Sequence, residues 1–450
     1  MTTTNSSKNK GTVLIVSFHF PPTNSIAAVR MGKFAKYLNR LGWDVIALTV
    51  HKVKGFPPTL PLEIDEAHVA RTKYFGIGSS TLYNLTGDQK STDSAGKKSI
   101  RITFFHRLAH WVEPFYSLPL IRLLLVEPIG WYAPALKTGR DILKKHRVDV
   151  IFSSYGPAMS HIIASKLSGT FHIRWVAEFR DLWTQSHYFR KIQPLHFLEQ
   201  RIEKKVINSA SRLVAIADPM SEQLKGLHGK KTITIHNGFD EEDYREHTTQ
   251  TAKFTITYTG RLIGGKRDPK LLFEAIADLA AEGKISPDNF EIRFFGDNSI
   301  AGILSPMIKA YNVSNLVNIC GFVPFKESLK RQQESTILLL LLWANHDEEK
   351  GVYTGKVFEY LGARRPILAI GPKDGVVDKL LAESGTGIVV NKVEEIKHIL
   401  GLWLEEFGRL KTITSSFNPN KDIVSHYTRK KQTEKLALVL SEAINQDNYK

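Results

Sequence analysis

Short apolar runs alternate with amphipathic stretches along most of the chain. The runs at 12–18 (TVLIVSF) and 44–50 (DVIALTV) are nearly continuous and rich in β-branched residues, which is typical of strands buried on both faces of a parallel sheet. Between them, residues 27–43 carry apolar side chains at helical spacing, and Gly42 provides a stop. The start of the chain therefore predicts a β-loop-α-β unit.

The same alternation continues and then begins again after a polar stretch at 240–253. It predicts an α/β protein of two Rossmann-like, doubly wound domains. We assign residues 1–245 to an N-terminal domain, with a loop-rich insertion at about 51–110, and 246–430 to a C-terminal domain. An amphipathic helix is expected at 431–450. Ligands of such sheets bind at the carboxyl ends of strands, so the loops there are the candidate sites.

The composition fits a soluble globular protein, with 42% hydrophobic and 24% charged residues. The single cysteine, Cys320, excludes an intrachain disulfide and a cysteine-based zinc site, which fits a reducing cytosol. It lies in LVNICGFV, where we expect a small buried side chain on a strand. The N-terminus lacks the features of a signal peptide, and no run of about 20 apolar residues predicts a transmembrane helix.

The net charge of +16 favours polyanionic partners. Because no nucleic-acid-binding motif is present, phosphate ligands and an anionic membrane surface are the better candidates. Residues 101–140 mix basic and aromatic side chains, and they either dock at a membrane interface or pack as helices on the N-terminal domain. The aromatic residues concerned are Trp111, Phe115, Tyr116, Trp131 and Tyr132.

Two strand-end loops in the second domain favour phosphate binding. Residues 259–269 (TGRLIGGKRDP) place Arg261 and Lys266 among glycines, where two cations can clamp a diphosphate, although a solvated basic turn has the same composition. In the second loop, residues 352–356 open a helix whose free amides favour an anion. The residues that we assign to it are Tyr353, Thr354 as N-cap, Gly355 and the cation Lys356.

Glu359 follows on the same helix. Helical spacing turns it away from the apolar face, so periodicity alone predicts a solvated surface residue. A third loop, EFRDLW at 178–183, crowds Glu178, Arg180 and Asp181 at a strand end. It holds either ligand contacts or an internal arginine–carboxylate pair.

The segments TGRL, GKVFEYLGARRPILAIGP and IHNGFDEEDY together resemble glycosyltransferase family 4. The resemblance extends to VDVIFSSYGPAMSHIIASKLSG and WVAEFRDLWTQ, and it omits only about 51–110. It implies the GT-B fold, in which two Rossmann-like domains face a central cleft. It also implies a branch of bacterial enzymes that make cell-surface polysaccharides.

The resemblance gives Glu359 a role. It matches the second glutamate of the family's E-x7-E motif, which accepts hydrogen bonds from ribose hydroxyls. Arg261 and Lys266 would hold the diphosphate and offset charge on the leaving group. Gly351 stands where the first glutamate is expected, so backbone amides of 351–354 would contact the donor sugar instead.

The N-terminal loop PPTNSIAAVR departs from the family pattern, because Ser25 and Ile26 replace the usual glycines, but it keeps Arg30. By the same resemblance, His19, Arg180 and Asp181 would lie at the cleft, where Asp181 is a catalytic candidate.

The implied reaction transfers a sugar, with retention, from a UDP- or GDP-sugar to a glycan or polyprenyl-linked acceptor. No metal and no cofactor are implied, because Arg261, Lys266 and the helix start replace the cation. The expected location is cytoplasmic, with peripheral contact at the inner face of the plasma membrane. Two alternatives are a nucleotide-sugar epimerase of the same fold and a non-catalytic sugar-nucleotide or membrane-binding protein.

Overall fold

The computed structural model describes seven segments of the chain, and they form two compact units. The described segments are 10–53, 55–74, 128–186, 193–245, 248–263, 267–343 and 350–445. The first unit contains residues 1–236 and 432–450, and the second contains 237–431. Both have a fully parallel sheet with helices around it, so the predicted α/β class with two Rossmann-like domains is confirmed.

The first unit has a seven-stranded sheet in the order β3-β2-β1-β4-β5-β6-β7. Its strands are nearly continuous apolar runs, and every residue of β1 and β4 is buried, as strands covered on both faces require. The strands are β1 Thr12–Val16, β2 Asp44–Val50, β3 Val69–Thr72, β4 Val150–Ser154, β5 Arg174–Phe179, β6 Arg212–Ala215 and β7 Thr232–Thr234.

The helices of the first unit come from both ends of the chain. They are α1 Ile26–Arg40, α2 Tyr132–Lys145, α3 Met159–Phe171, α4 Gln193–Ile207, α5 Asp218–His228 and the C-terminal helix α13 Arg429–Ile444. Helix α13 places Leu436 and Leu440 in the same apolar cluster as Val13 and Phe34. The C-terminal helix is therefore a structural part of the first unit's core.

The second unit has a six-stranded sheet in the order β10-β9-β8-β11-β12-β13. Its strands are β8 Phe254–Thr259, β9 Phe290–Phe295, β10 Val317–Gly321, β11 Ile337–Leu341, β12 Ile367–Ile370 and β13 Gly387–Val390. Its helices are α6 Lys270–Ala281, α7 Ser299–Ala310, α8 Phe325–Glu334, α9 Gly355–Ala363, α10 Val376–Ser384, α11 Val393–Leu410 and α12 Lys421–Ser425. The strand order reverses between β8 and β11, which is where such sheets bind ligands.

Three details differ from, or decide between, the predictions made for the sequence. Strand β3 lies inside the stretch that we predicted to be a loop-rich insertion, and it pairs with β2. Trp131 is fully buried, and its indole N–H donates to Thr72 Oγ1 at 2.8 Å, so it packs within the unit and does not face a membrane. Cys320 is exposed on the edge strand β10, so the prediction of a buried side chain was wrong.

Of the other proposed interfacial aromatics, Trp111, Phe115 and Tyr116 lie outside the described residues, and Tyr132 begins α2 and is partly buried. Within the described part of the chain, no helix combines the length and the apolarity needed to cross a bilayer.

Candidate functional site

A cluster of charged side chains lies at the carboxyl edge of the second sheet, beside the switch point. Gly260 lies within this cluster, directly after β8. Its φ of +117° falls in a region that residues with L side chains avoid. A Cβ at Gly260 would contact Lys356 Cε and lie 2.6 Å from its Nζ. The missing side chain therefore provides the space in which Lys356 extends from α9 toward the loop. Its Nζ lies 5.6 Å from the centre of the Tyr258 ring.

Lys356 shares this position with two arginines. Burial, together with the nearby Arg267 and Arg261, lowers the pKa of Lys356 to about 7 against the opposing effect of Glu359. The guanidinium of Arg267 lies 5.4 Å from the Trp343 ring centre. Cations gathered in this way repel one another, so an anion bound among them would be strongly stabilised.

Arg261 is held by a carboxylate from the next strand end. Its Nε lies 2.9 Å from Asp297 Oδ2, and both side chains remain about 40% exposed. Burial alone would raise the pKa of Asp297, but hydrogen bonds from Ser299 and Arg261 keep it below its usual value. Lys266, the second predicted phosphate ligand, lies outside the described residues. The sequence analysis missed Arg267, although it directly follows Lys266 in GGKRDP.

Glu359 lies one turn after Lys356 and is not a freely solvated surface residue. Burial raises its pKa, while Lys356 and a hydrogen bond from Gln332 oppose that rise. Gln332 Nε2 lies 3.4 Å from Glu359 Oε2 and 3.0 Å from Thr259 Oγ1. The prediction from helical phase was wrong because helix α8, which carries Gln332, packs against that side of α9. Gln332 has no signal in the sequence that marks it as a site residue.

At the start of α9 the amide of Val357 donates to the carbonyl of Thr354 at 3.2 Å, whereas Gly355 and Lys356 make no such backbone bond among the described residues. Thr354 is the N-cap, in an extended conformation, but its side chain makes no capping hydrogen bond. Gly355 is the first helical residue, and the amides of a first turn seek acceptors outside the helix. The Tyr353 ring packs 5.4 Å from Phe358. The structure thus brings together Arg261, Lys356, Glu359 and the helix start, as the strand-end rule predicts.

In the first unit, Arg30 lies in the interior and holds the sheet together. Its Nε donates to Glu178 Oε1 at 2.8 Å, and its Nη atoms donate to the carbonyls of Ile235 and His236 at 2.7 and 2.6 Å. Both charged side chains are fully buried. An internal arginine–carboxylate pair therefore does exist, but Glu178 pairs with Arg30 and not with Arg180. These contacts give Arg30 a structural position.

Arg180 and Asp181 lie at the end of β5. Arg180 donates to Ser154 Oγ at 3.0 Å and to the carbonyls of Tyr155 and Gly156 at 2.7 and 3.0 Å. Asp181 is exposed. Arg180 thus fixes the loop geometry, while the Asp181 carboxylate remains open to solvent.

His19 follows β1 and is partly buried. Burial, with the charge of Arg180, lowers the pKa of His19 to about 3, so the ring is neutral at ordinary pH. Its Nδ1 lies 3.3 Å from Ser25 Oγ. Ser25 also caps helix α1 by accepting from the amide of Ala28, so one of the residues that replaces a family glycine has a clear local role.

A further residue supports the loop after β5. The fully buried Glu203 accepts from the amide of Thr184 at 3.0 Å and from its hydroxyl. His228 Nε2 lies 3.2 Å from the other carboxylate oxygen. Glu203 therefore ties the loop that carries Asp181 to helices α4 and α5, and the sequence analysis did not identify it.

We expect Gly260→Ala to weaken nucleoside diphosphate binding about tenfold, because an added Cβ displaces Lys356 and removes one charge-assisted contact. Isothermal titration calorimetry measures this directly. Gly283→Ala is the matched control, since Gly283 also has a positive φ, +72°, and a Cβ there meets no atom within 4 Å. An unchanged affinity in Gly260→Ala would show that Lys356 does not need this space.

Comparison with solved structures shows the same fold. HepE from Anabaena, solved with UDP and glucose, is 14% identical, with a TM-score of 0.59 over 96% of this chain and 100% of its own. A glycosyltransferase from Rickettsia africae is 15% identical, with a TM-score of 0.61 over 98% and 100%. Sucrose-phosphate synthase from Thermosynechococcus elongatus is 12% identical, with a TM-score of 0.56 over 97% and 100%. The likeness confirms the GT-B fold class.

One family model and one curated relative match part of the sequence. Residues 95–243 match the model of Glycosyltransferase Family 4, which confirms the predicted family resemblance. A curated relative, the GDP-mannose:cellobiosyl-diphosphopolyprenol alpha-mannosyltransferase of Komagataeibacter xylinus, is 26% identical over 147 residues. The match spans 32% of this chain and 33% of that relative.

Proposed function

We propose that this protein is a glycosyltransferase that moves a sugar from a nucleoside-diphosphate sugar to an acceptor hydroxyl and retains the anomeric configuration. One observation carries the proposal: Lys356, Arg261 and Arg267 gather at the switch point of the second sheet, and Glu359 lies one helical turn beyond Lys356. This pattern of several cations with one acceptor-only carboxylate complements a diphosphate joined to a ribose.

The donor would bind with its diphosphate on the cations and its ribose on Glu359. A carboxylate accepts hydrogen bonds from two neighbouring hydroxyls, and the amides at the start of α9 add further donors to the phosphate. The neighbouring HepE structures were solved with UDP and with UDP-glucose, which supports a nucleotide-sugar donor for this chain. The donor class that we propose is a UDP- or GDP-sugar.

In the proposed reaction, the bond between the anomeric carbon and the diphosphate oxygen breaks as the acceptor oxygen attacks from the same face. The acceptor proton passes to the leaving phosphate oxygen, so atoms and charge balance without a carboxylate nucleophile. Arg261, Arg267 and Lys356 offset the negative charge that grows on the diphosphate. We propose that this makes the reaction independent of a metal ion. Lys266 would add to the same charge.

We assign the loop cluster of the first unit to the sugar and the acceptor. Asp181 is exposed and carries a carboxylate at a strand end, where hydroxyl groups of a sugar would find an acceptor. His19 is neutral and carries both a donor and an acceptor nitrogen. Arg180 sets the backbone between them through its contacts to residues 154–156.

The biological setting that we propose is assembly of a cell-surface polysaccharide or a lipid-linked glycan. The relative from Komagataeibacter xylinus is named for a polyprenol-linked acceptor, and the net charge of +16 suits a polyanionic or membrane-associated partner. A cytoplasmic location with peripheral contact at the inner membrane face follows from that acceptor.

Glu359→Ala tests the proposal. We expect one nucleotide among UDP, GDP, ADP and TDP to bind the wild-type chain, and the variant to bind it about tenfold or more weakly, because a charge-assisted hydrogen-bond pair to the ribose is lost. Calorimetry provides the affinities. Glu405→Ala is the matched control, because Glu405 is an exposed helical glutamate of the same unit.

Two outcomes would contradict the proposal. If no nucleotide binds, or if Glu359→Ala binds as tightly as Glu405→Ala, Glu359 has no contact with the donor. If the sugar nucleotide is isomerised without any acceptor present, the protein is an epimerase.

A further inference from the structure

A cavity of about 450 Å³ lies in the second unit, beside the end of α9 that is opposite to its phosphate-binding start. Its walls include two aromatic rings, one amide and three guanidinium groups, from Phe239, Tyr244, Gln333, Arg245, Arg364 and Arg365. We propose that this cavity, which we call the arginine pocket, binds a small phosphorylated sugar and is a second anion site beside the donor site.

The charge of the arginine pocket is unbalanced. Among the described residues that line it, three are arginines and one, Glu241, is acidic. Arg245 is exposed and lies 3.3 Å from Glu242, a carboxylate outside the lining. Arg364 is exposed, and within the described residues its side chain makes no hydrogen bond or ion pair. The Arg364 guanidinium is thus available to a dianion such as a phosphate monoester, and Arg245 would share its charge between that dianion and Glu242.

The third guanidinium is preorganised. Arg365 Nε donates to the carbonyl of Gln333 at 2.8 Å, and its Nη1 donates to Gln250 Oε1 at 3.3 Å. The Arg365 side chain is partly buried, and this burial lowers its pKa. An anion would interact most strongly with a charge that is partly removed from water. Because Arg365 is already fixed, it would bind a phosphate with little loss of side-chain entropy, and the exposed Arg364 lies beside it in the chain.

The backbone places Arg364 at the end of helix α9. Arg364 ends the helix in the left-handed conformation, with a φ of +57°. Glycine or asparagine normally occupies this position, and a larger residue there costs stability. Lys411 ends α11 in the same conformation, so Arg364 is distinguished by its place beside the pocket and not by its backbone angle.

The size of the pocket selects the class of ligand. Its 450 Å³ would hold roughly fifteen waters at about 30 Å³ each, which is far more than a bare phosphate fills. It falls within the ordinary range for small-molecule sites. The partly buried Tyr244 ring supplies an apolar surface against which the C–H face of a hexose can lie. We therefore assign a hexose phosphate.

Two short connections lead from the pocket to Glu359. The hydroxyl of Tyr244 donates to the main-chain oxygen of Glu359 at 2.8 Å. Gln333 follows Gln332, whose amide lies 3.4 Å from the Glu359 carboxylate. A ligand that fixes Tyr244 and Gln333 would therefore also bias the position of Glu359. This coupling rests on the proposed function, whereas binding at the pocket does not.

The test titrates glucose 6-phosphate into the full-length chain by calorimetry. Binding is expected in wild type, and Arg364→Asn should weaken it about tenfold or more, because one charge-assisted contact is lost while asparagine still accepts the left-handed backbone. Lys411→Asn is the matched control: Lys411 also ends a helix with a left-handed φ, at +56°, and the charge change is the same. Arg261→Gln controls for binding at the donor site.

Every outcome of this test either supports or overturns the proposal. Unchanged binding in Lys411→Asn and Arg261→Gln, with loss in Arg364→Asn and in a second variant, Arg245→Gln, supports the proposal. No binding to wild type, equal binding to Arg364→Asn, or loss in Arg261→Gln overturns it. UDP is titrated into the same proteins, so that failure of the proposed donor site shows separately from failure of the pocket.

Discussion

Glu178→Gln is expected to lower the free energy of unfolding by about 3–5 kcal/mol, which is the usual cost of removing one partner of a buried ion pair. Arg30 and Glu178 have no exposed side-chain surface. Burial lowers the pKa of Arg30, and the carboxylate of Glu178 opposes that shift. Without the carboxylate, a full positive charge would remain in the interior between β5 and the end of β7. Urea unfolding of the full-length chain, followed by circular dichroism, measures the loss.

The control is Glu442→Gln, which removes one partner of an exposed pair. Lys231 and Glu442 are separated by 2.9 Å, but both side chains are more than half exposed, and exposed pairs contribute at most about 1 kcal/mol. The double variant Arg30→Met with Glu178→Leu should recover much of the stability, since no charge is then buried alone. Equal losses in Glu178→Gln and Glu442→Gln would show that the buried pair is not needed for stability.

Affinity for UDP is expected to fall as the pH rises above about 7, by up to tenfold for each pH unit. In the free protein the pKa of Lys356 is lowered to about 7, and a bound diphosphate would raise it. Below pH 7 the ammonium is present in both states, so binding is strongest there. Above pH 7 the free protein loses the proton and the complex keeps it, so binding must take up a proton. Calorimetry across the pH range measures the slope.

Lys356→Gln should bind UDP about a hundredfold more weakly at low pH, because a charge-assisted phosphate contact is lost, and it should lose the pH slope. Lys356→Arg is the control, because arginine stays protonated throughout this range and reports only the titration of the nucleotide itself. A wild-type slope identical to that of Lys356→Arg would mean that Lys356 does not contact the phosphates.

Most strands of the two sheets could be predicted from the sequence, since strands covered on both faces must be nearly continuous apolar runs. Strand β3 was missed because it is not a continuous apolar run. It has four residues, two of which are partly buried, and it follows a stretch rich in prolines. Trp131 and Cys320 show the same limit: an aromatic residue near basic ones and a cysteine in an apolar strand each fit two environments. Only the packing of neighbouring elements decides between them.

Two residues of the candidate site were predictable from their places in the chain. Arg261 follows β8 closely, and the carboxyl ends of parallel strands share one edge of the sheet. Lys356 lies in the first turn of helix α9, where free amides favour an anion. The exposure of Glu359 was not predictable from its own helix, because Gln332, from α8, covers it. The structural role of Arg30 was not predictable either. Its partners are Glu178 and the carbonyls of two residues that lie more than 200 positions further along the chain. No local sequence pattern identifies partners that are so far apart along the chain.

The placement of α13 bears on the order in which the protein is made. The first unit needs Leu436 and Leu440 to complete the apolar cluster around Val13 and Phe34. A ribosome supplies those leucines only after the whole of 237–431 has been synthesised. The second unit can therefore fold while the apolar cluster of the first is still incomplete.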